Sequence, residues 1–373
     1  LTKDSKLETY LTEGIEGLIR DMTKATARNP KASLFMLKYA VSAKKAMDKR
    51  EASEKAGVHI PAFLIASVTS KCNLHCQGCY ARARENSGCV DHEEESQLSD
   101  LEWLGIFEEA KTLGIGFVLI AGGEPFMRQS LIEGMGKQSD ILFPIFTNGT
   151  LLDVAALKML DKFRNLIPIL SIEGLSESTD IRRGQGIYQQ MQQTMDRLNR
   201  KRIFYGASIT VHKENLKEAF SQELLGDLSD RGCKAVFFVE YVPVDTDAEP
   251  LELDETDRAY QNIQMDAIRK RYPEMLFIAF PGDEKESGGC LAAGRGFFHI
   301  NYDGSAEPCP FSPYSDANIR EMTLMEAMES PFFKKLRSGD MLLADHTGGC
   351  VLFTQEDSVK ELLHGETPPH RTL

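Results

Sequence analysis

From residue 62 to about residue 272, short apolar runs rich in β-branched and aromatic residues alternate with longer runs of helical periodicity. The apolar runs are AFLIASVTS (62–70), GFVLIAGG (116–123), ILFPIFTN (141–148), LIPILSIEG (166–174), FYGASITV (204–211) and AVFFVEYVPV (235–244). Helical patterns fall between and after them, near 99–113, 129–138, 153–163, 186–202, 214–231 and 254–272. Consecutive apolar positions mark a strand covered on both faces, and strands that each lead into a helix build a parallel sheet. Six such units predict an α/β fold, a partial (β/α)6 barrel over residues 59–274. Ahead of it, Leu7, Leu11, Ile15, Leu18 and Met22 keep helical spacing and a second helical run covers 33–47. Residues 1–58 are therefore expected to be a helical extension packed on the barrel, the alternative being a lid or a surface for a lipid or partner. Beyond the barrel, FHINYDGSAEPC (298–309) alternates around Asp303-Gly304, a favoured two-residue hairpin turn. A small α+β domain is expected over 275–373, with no internal repeat or low-complexity linker.

Parallel α/β folds gather their chemistry at the C-terminal ends of the strands. Four polar or glycine-rich segments fall there: SKCNLHCQGCYAR (70–82), GGEP (122–125), TNGT (147–150) and SIEG (171–174). The first places Cys72, Cys76 and Cys79 in a CxxxCxxC array. Thiolates are soft ligands suited to zinc, copper(I) or iron–sulfur clusters. Structural zinc would need a fourth ligand from His75, Cys89 or His92. A [4Fe–4S] cluster on three thiolates would instead leave one iron open. A second set, Cys290, Cys309 and Cys350, lies near the C-terminus; the bland alternative is three unrelated buried thiols.

The net charge of −13 and pI near 5.2 argue against a nucleic-acid partner, whose phosphates call for clustered Lys and Arg. The longest uncharged stretch, Ala56 to Ser70, contains Pro61 and is too short for a membrane span. Residues Leu1 to Tyr10 have no secretory pattern, so a cytoplasmic location is expected. In such a setting eight cysteines favour metal or redox chemistry over disulfides.

CxxxCxxC at the end of the first strand, followed by GGEP after the second, resembles the radical SAM superfamily over roughly residues 60–245. One departure is Gly78 before the third cysteine, a position often aromatic in the family, with Tyr80 just after. The resemblance implies a [4Fe–4S] cluster held by Cys72, Cys76 and Cys79, its fourth iron chelated by S-adenosylmethionine (SAM). It implies reductive cleavage to a 5'-deoxyadenosyl radical that takes hydrogen from a substrate, with a flavodoxin- or ferredoxin-type electron donor. Carried over residue by residue, Gly122, Gly123 and Glu124 would lie beside the methionine amino group, and Ser171 and Glu173 would contact ribose and methionine. Within TDIRRGQGIY (179–188), Arg183 would pair with the methionine carboxylate, Arg182 being the rival. Asn148 and Thr210 are further cofactor-binding candidates, and Glu240, Tyr241 and Asp245 are candidate acid, base or radical-relay groups.

The spacing from Cys290 through Gly304 to Cys309, C-x13-G-x4-C, resembles the opening of SPASM and Twitch extensions. The dense later cysteines of a full SPASM domain are absent, so the shorter Twitch type is expected, with one auxiliary cluster of [4Fe–4S] type on Cys290, Cys309 and Cys350. Its fourth iron would be open, or completed by Cys233, Cys89 or a non-cysteine group. The expected substrate is a small or lipid-like molecule, with maturation of a ribosomal peptide or protein as the alternative. The non-enzyme alternative is an iron–sulfur electron carrier or a zinc-stabilised interaction protein.

Overall fold

A computed structural model describes residues 29–83, 97–244, 250–281, 289–339, 341–343 and 349–364. The run at 7–22, Cys89, His92 and Asp245 lie outside the described residues. The described strands are β1 (Phe63–Ser67), β2 (Val118–Ala121), β3 (Phe143–Thr147), β4 (Leu166–Ile172), β5 (Gly206–Val211), β6 (Ala235–Glu240), β7 (Leu276–Phe280), β8 (Phe297–Ile300) and β9 (Ala306–Glu307). They form one sheet in the order β7-β6-β5-β4-β3-β2-β1-β8-β9. Every pairing is parallel except β8 with β9.

β1 to β6 fall inside the six apolar runs, and the α/β partial barrel is as expected. The sheet does not stop at residue 274, however. β7 extends it past β6, while β8 adds parallel to β1 on the other side, so the C-terminal region supplies strands to both ends. Phe280 of β7 meets Phe297 of β8 at a ring-centroid distance of 5.6 Å. Six strands separate these two in the sheet order, so the contact requires the sheet to curl almost closed. The hairpin between β8 and β9 has a three-residue turn in place of the expected two-residue one. Asn301 N donates to Ser305 O and Gly304 takes φ +93°, a type I turn closed by a left-handed glycine.

The sheet's two faces differ, since side chains alternate along each strand. The outer face carries Val118, Ile120, Phe143 and Phe238, all fully buried beneath helices such as Asp100–Leu113, whose Phe107 ring lies 5.3 Å from Phe143. A Ser99–Glu102 capping box starts that helix. The inner face is apolar toward the N-terminal ends of the strands, while Ser67, Ser171 and Ser208 lie toward their C-terminal ends. β2 and β7 alternate strictly between buried and half-buried residues, and the Phe63–Phe117 and Phe146–Phe237 rings line it in edge contacts.

Helix Pro30–Lys55 closes the bottom of the barrel. Met36 and Tyr39 pack with Leu142, Ile167 and Ala235, at or just before the N-terminal ends of β3, β4 and β6. Tyr39 Oη donates to Gly116 O at 2.8 Å, just ahead of β2. This part of the extension is thus a plug on the side away from the cysteine loop. The run expected at 214–231 is divided into Leu216–Ala219 and Gln222–Asp230, the second capped by Ser221.

Candidate functional site

The loop from Val68 to Cys79 leaves the C-terminal end of β1 and is stitched to the loops after β2 and β3. Gly123 N donates to Thr69 O at 2.7 Å and Glu124 N to Lys71 O at 2.8 Å. A Cβ on Gly122 or Gly123 would be driven into the Thr69 or Lys71 carbonyl oxygen. The missing side chains at Gly122 and Gly123 therefore let two backbones touch, a closer constraint than the expected approach to a ligand.

Glu124 is fully buried, and burial raises its pKa above the usual carboxylate range. Its Oε1 accepts from Phe126 N at 3.0 Å and Thr147 Oγ1 at 2.7 Å, and its Oε2 from Asn148 N at 2.8 Å. Asn148 Nδ2 donates to Asn73 Oδ1 at 2.9 Å and lies 4.0 Å from Cys72 Sγ. Asn73 in turn donates to Thr150 Oγ1 at 2.8 Å. Glu124 and Asn148 thus brace the cysteine loop from below.

The end of β4 supplies the charged half of the site. Glu173 is fully buried, and its Oε1 accepts from Arg182 Nη1 at 2.6 Å and Arg183 Nε at 2.8 Å, with Arg183 Nη2 also bonded. Its Oε2 accepts from Thr210 N at 3.2 Å. Ser171 lies two positions earlier, half-buried on the same face and opposite Ser208 of β5. Arg182 is also committed to the cysteine loop: its Nε donates to Gln77 O at 3.1 Å, while Gln77 N donates to Arg182 O at 2.9 Å. Arg183 makes no such backbone contact among the described residues and lies close to Cys76 and Cys79. Burial opposes its charge, but Glu173 and Cys76 outweigh burial and hold its pKa above the usual value. Asn215, absent from the sequence expectations, ties β4 to β5 by donating to Glu173 O and Thr210 O, each at 2.8 Å. No local signal in VHKEN marks it.

The three loop thiols are half-buried, whereas His75 between them is exposed. Burial raises the pKa of Cys72 and of Cys76, and for Cys76 the nearby Arg183 and Arg182 pull the other way. Two guanidinium groups beside the thiols suit thiolate ligands and an anionic partner. Tyr241, just after β6, is buried with its Oη against Gly78: a Cβ on Gly78, which has φ +60°, would stand 2.7 Å from that oxygen. The Tyr241 ring also lies 6.0 Å from the Arg182 guanidinium and 6.1 Å from the His212 ring. Burial lowers the pKa of His212, whose Nδ1 is buried without a hydrogen-bond partner among the described residues.

The C-terminal thiols also converge, from the loop before β8, the segment after β9 and the N-terminus of helix Val351–Thr354. Cys290 and Cys309 are buried and Cys350 is half-buried. A hydrogen bond with Cys350, followed by burial, lifts the pKa of Cys309 well above the ordinary thiol value, and Cys290 adds to the shift. The cavity beside them is lined also by Phe280, Phe311 and Glu240. Cys233 stands apart as a core thiol donating to Ala235 O at 3.2 Å, its pKa pushed up to about 12 by burial.

A buried polar chain links β1 to the C-terminal hairpin. His299 of β8 lies 2.7 Å from Ser67 Oγ through Nε2 and 2.8 Å from Glu307 Oε2 through Nδ1, while Asn301 Nδ2 donates to Glu307 Oε1 at 3.1 Å. Sequence reasoning missed it because its members are scattered between residues 67 and 307.

Both sets of cysteines fit iron–sulfur clusters by donor type, three thiols each, with thiol-to-thiol proximity evident from Cys72 to Cys79 and from Cys290 to Cys350. Among the described residues, no three His, Cys, Asp or Glu side chains are gathered around a point that could hold a single metal ion, as structural zinc requires. No described helix is long and apolar enough to cross a membrane.

Comparison with known proteins agrees with this geometry. The radical SAM superfamily profile matches residues 66–222, and the profile of the SPASM iron–sulfur cluster-binding domain matches 290–350, from Cys290 to Cys350. The Fe-coproporphyrin III synthase of Methanosarcina barkeri is 29% identical over 42% of this chain, which spans only 38% of that relative's length. The AdoMet-dependent heme synthase of the same organism is 24% identical over 77% of this chain and 88% of its own. Streptococcus suis SuiB, solved bound to its precursor peptide SuiA, shares the fold with a TM-score of 0.67 at 20% identity, covering 85% of this chain and 77% of SuiB. The first domain implies a [4Fe–4S] cluster used with SAM, and the second implies auxiliary iron–sulfur clusters. The chain belongs to the radical SAM superfamily and carries a C-terminal SPASM-type iron–sulfur cluster-binding domain.

Proposed function

We propose that the protein cleaves SAM reductively at a cluster on Cys72, Cys76 and Cys79 and abstracts hydrogen from an apolar small-molecule or lipid-like substrate held inside the barrel. The cluster with SAM would supply the radical chemistry; the chain binds, orients and shields. Arg183 would hold the methionine carboxylate. Because Glu173 already engages it, binding would exchange one carboxylate for another or share the guanidinium between them. Glu173, freed in part, and Ser171 face the side where ribose hydroxyls would lie. Glu124 and Asn148 would act by fixing the loop that carries Cys72.

The observation that carries the substrate class is the inner face. Phe117, Phe146 and Ile278 form its apolar floor, half-buried beside the Met36 and Tyr39 plug, and Phe280 closes the ring of strands against Phe297. Such a lining rewards apolar contact at about 25 cal/mol per Å² of buried area. The heme synthase relative, similar over most of both chains, points the same way. SuiB, with its bound precursor peptide, supports the runner-up, maturation of a peptide or protein.

The test is anaerobic reconstitution with iron and sulfide, then reductant, SAM and candidate substrates deuterated at C–H positions. The reading expects 5'-deoxyadenosine formation and transfer of deuterium into it from apolar small molecules. Transfer from peptides alone would move the assignment to the runner-up. Absence of SAM cleavage under every condition would remove the activity itself.

A further inference from the structure

The C-terminal site offers three thiols, and a four-iron cluster has four corners. We propose that Glu240 is the fourth protein ligand of the auxiliary cluster, binding the remaining iron through its Oε2 carboxylate oxygen. The inference rests on the reading of Cys290, Cys309 and Cys350 as cluster ligands.

Glu240 ends β6, where it was expected as an acid, base or relay group at the barrel rim. Its surroundings give it another role. It lines the same cavity as the three cysteines, and the other lining residues there, among them Val242, Phe280, Phe297 and Phe311, are apolar. Only 3% of Glu240 is exposed, and its position is fixed from one side. Arg258, on helix Glu255–Arg271, directs Nε and Nη2 to Oε1 at 2.8 and 2.7 Å. Oε2 has no hydrogen-bond partner among the described residues. Arg258 balances the carboxylate's charge through Oε1, which leaves Oε2 as the oxygen that could meet a metal centre in the same cavity.

The same arginine reaches the ligand loop. Arg258 Nη2 lies 3.2 Å from where a Cβ on Gly349 would stand, so the glycine before Cys350 leaves the guanidinium room to pass. Arg258 thus packs beside both Glu240 and the segment that carries Cys350. Cys233, the cysteine alternative among the described residues, is placed wrongly. It bonds at Ala235, at the opposite end of β6, and five residues of parallel strand separate Ala235 from Glu240 by about 16 Å.

The test uses the full chain carrying C72A, C76A and C79A together, so that any remaining iron belongs to the auxiliary site. After anaerobic reconstitution, iron and sulfide are counted and the reduced cluster is read by electron paramagnetic resonance, with and without added imidazole. With Glu240 intact the spectrum should ignore imidazole; with Glu240→Ala it should shift, because the fourth iron is then open. Glu240→Cys should restore an indifferent cluster with its own altered spectrum, which separates loss of a ligand from damage to the fold. The proposal is overturned if the intact protein already responds to imidazole, or if E240A and E240C both leave spectrum and response unchanged. A chain that holds no iron in this background would overturn the auxiliary cluster itself, an outcome distinct from either of these.

Discussion

The cysteine loop after β1 and the C-terminal cysteine site present the same number of thiols in opposite surroundings. Cys72, Cys76 and Cys79 come from one short loop, half-buried, with Arg182 and Arg183 beside them. Cys290, Cys309 and Cys350 come from three separated segments, and their cavity holds Phe280, Phe297 and Phe311 and a buried carboxylate. A half-buried site flanked by guanidinium groups suits a ligand that brings a carboxylate and must arrive and leave. A more deeply buried site, lined by aromatic rings, suits a group that stays. On the function proposed above, the first site would exchange SAM and the second would keep its cluster.

Removing each set of thiols breaks the comparison most severely. With Cys72, Cys76 and Cys79 changed together to alanine, 5'-deoxyadenosine formation should vanish; persistent formation would mean that SAM is cleaved elsewhere. With Cys290, Cys309 and Cys350 changed together, iron should fall from about eight to about four per chain. SAM cleavage should survive in that variant, so an unchanged iron content would rule out the auxiliary cluster.

Arg183→Ala tests the cationic flank. A lost hydrogen bond to a charged group costs about 1.5–3 kcal/mol, so SAM should bind roughly ten- to a hundredfold more weakly by calorimetry. Arg182→Ala should instead reduce cluster retention, since Arg182 holds the backbone at Gln77. Equal effects from both would remove the distinction between them. The smallest effect concerns Gly78. Alanine there must accept φ +60° and crowd Tyr241 Oη, costing about 1–2 kcal/mol in thermal unfolding. Tyr241→Phe in the same chain should recover part of that loss.

What the sequence revealed follows from how local each feature is. β1 to β6 were legible because strands buried on both faces leave continuous apolar runs. β7 also carries such a run, LFIAF, but it is short and follows the last expected barrel helix, so periodicity alone does not join it to the sheet. The cysteine loop was legible because its ligands are contiguous. The partnerships around it were not: Arg182 binding the loop backbone, Asn215 joining two strand ends, and His299 bridging Ser67 to Glu307 all depend on contacts between distant segments. Glu240 was singled out for its rim position, and only the fold places it beside the C-terminal thiols.

The asymmetry between the two sites can be read in one titration. SAM is added to the reduced, fully reconstituted protein under anaerobic conditions while electron paramagnetic resonance follows both clusters. The account predicts that one signal, the one lost in the C72A/C76A/C79A chain, shifts with SAM while the other stays fixed. A shift in the auxiliary signal, or in neither, would contradict it.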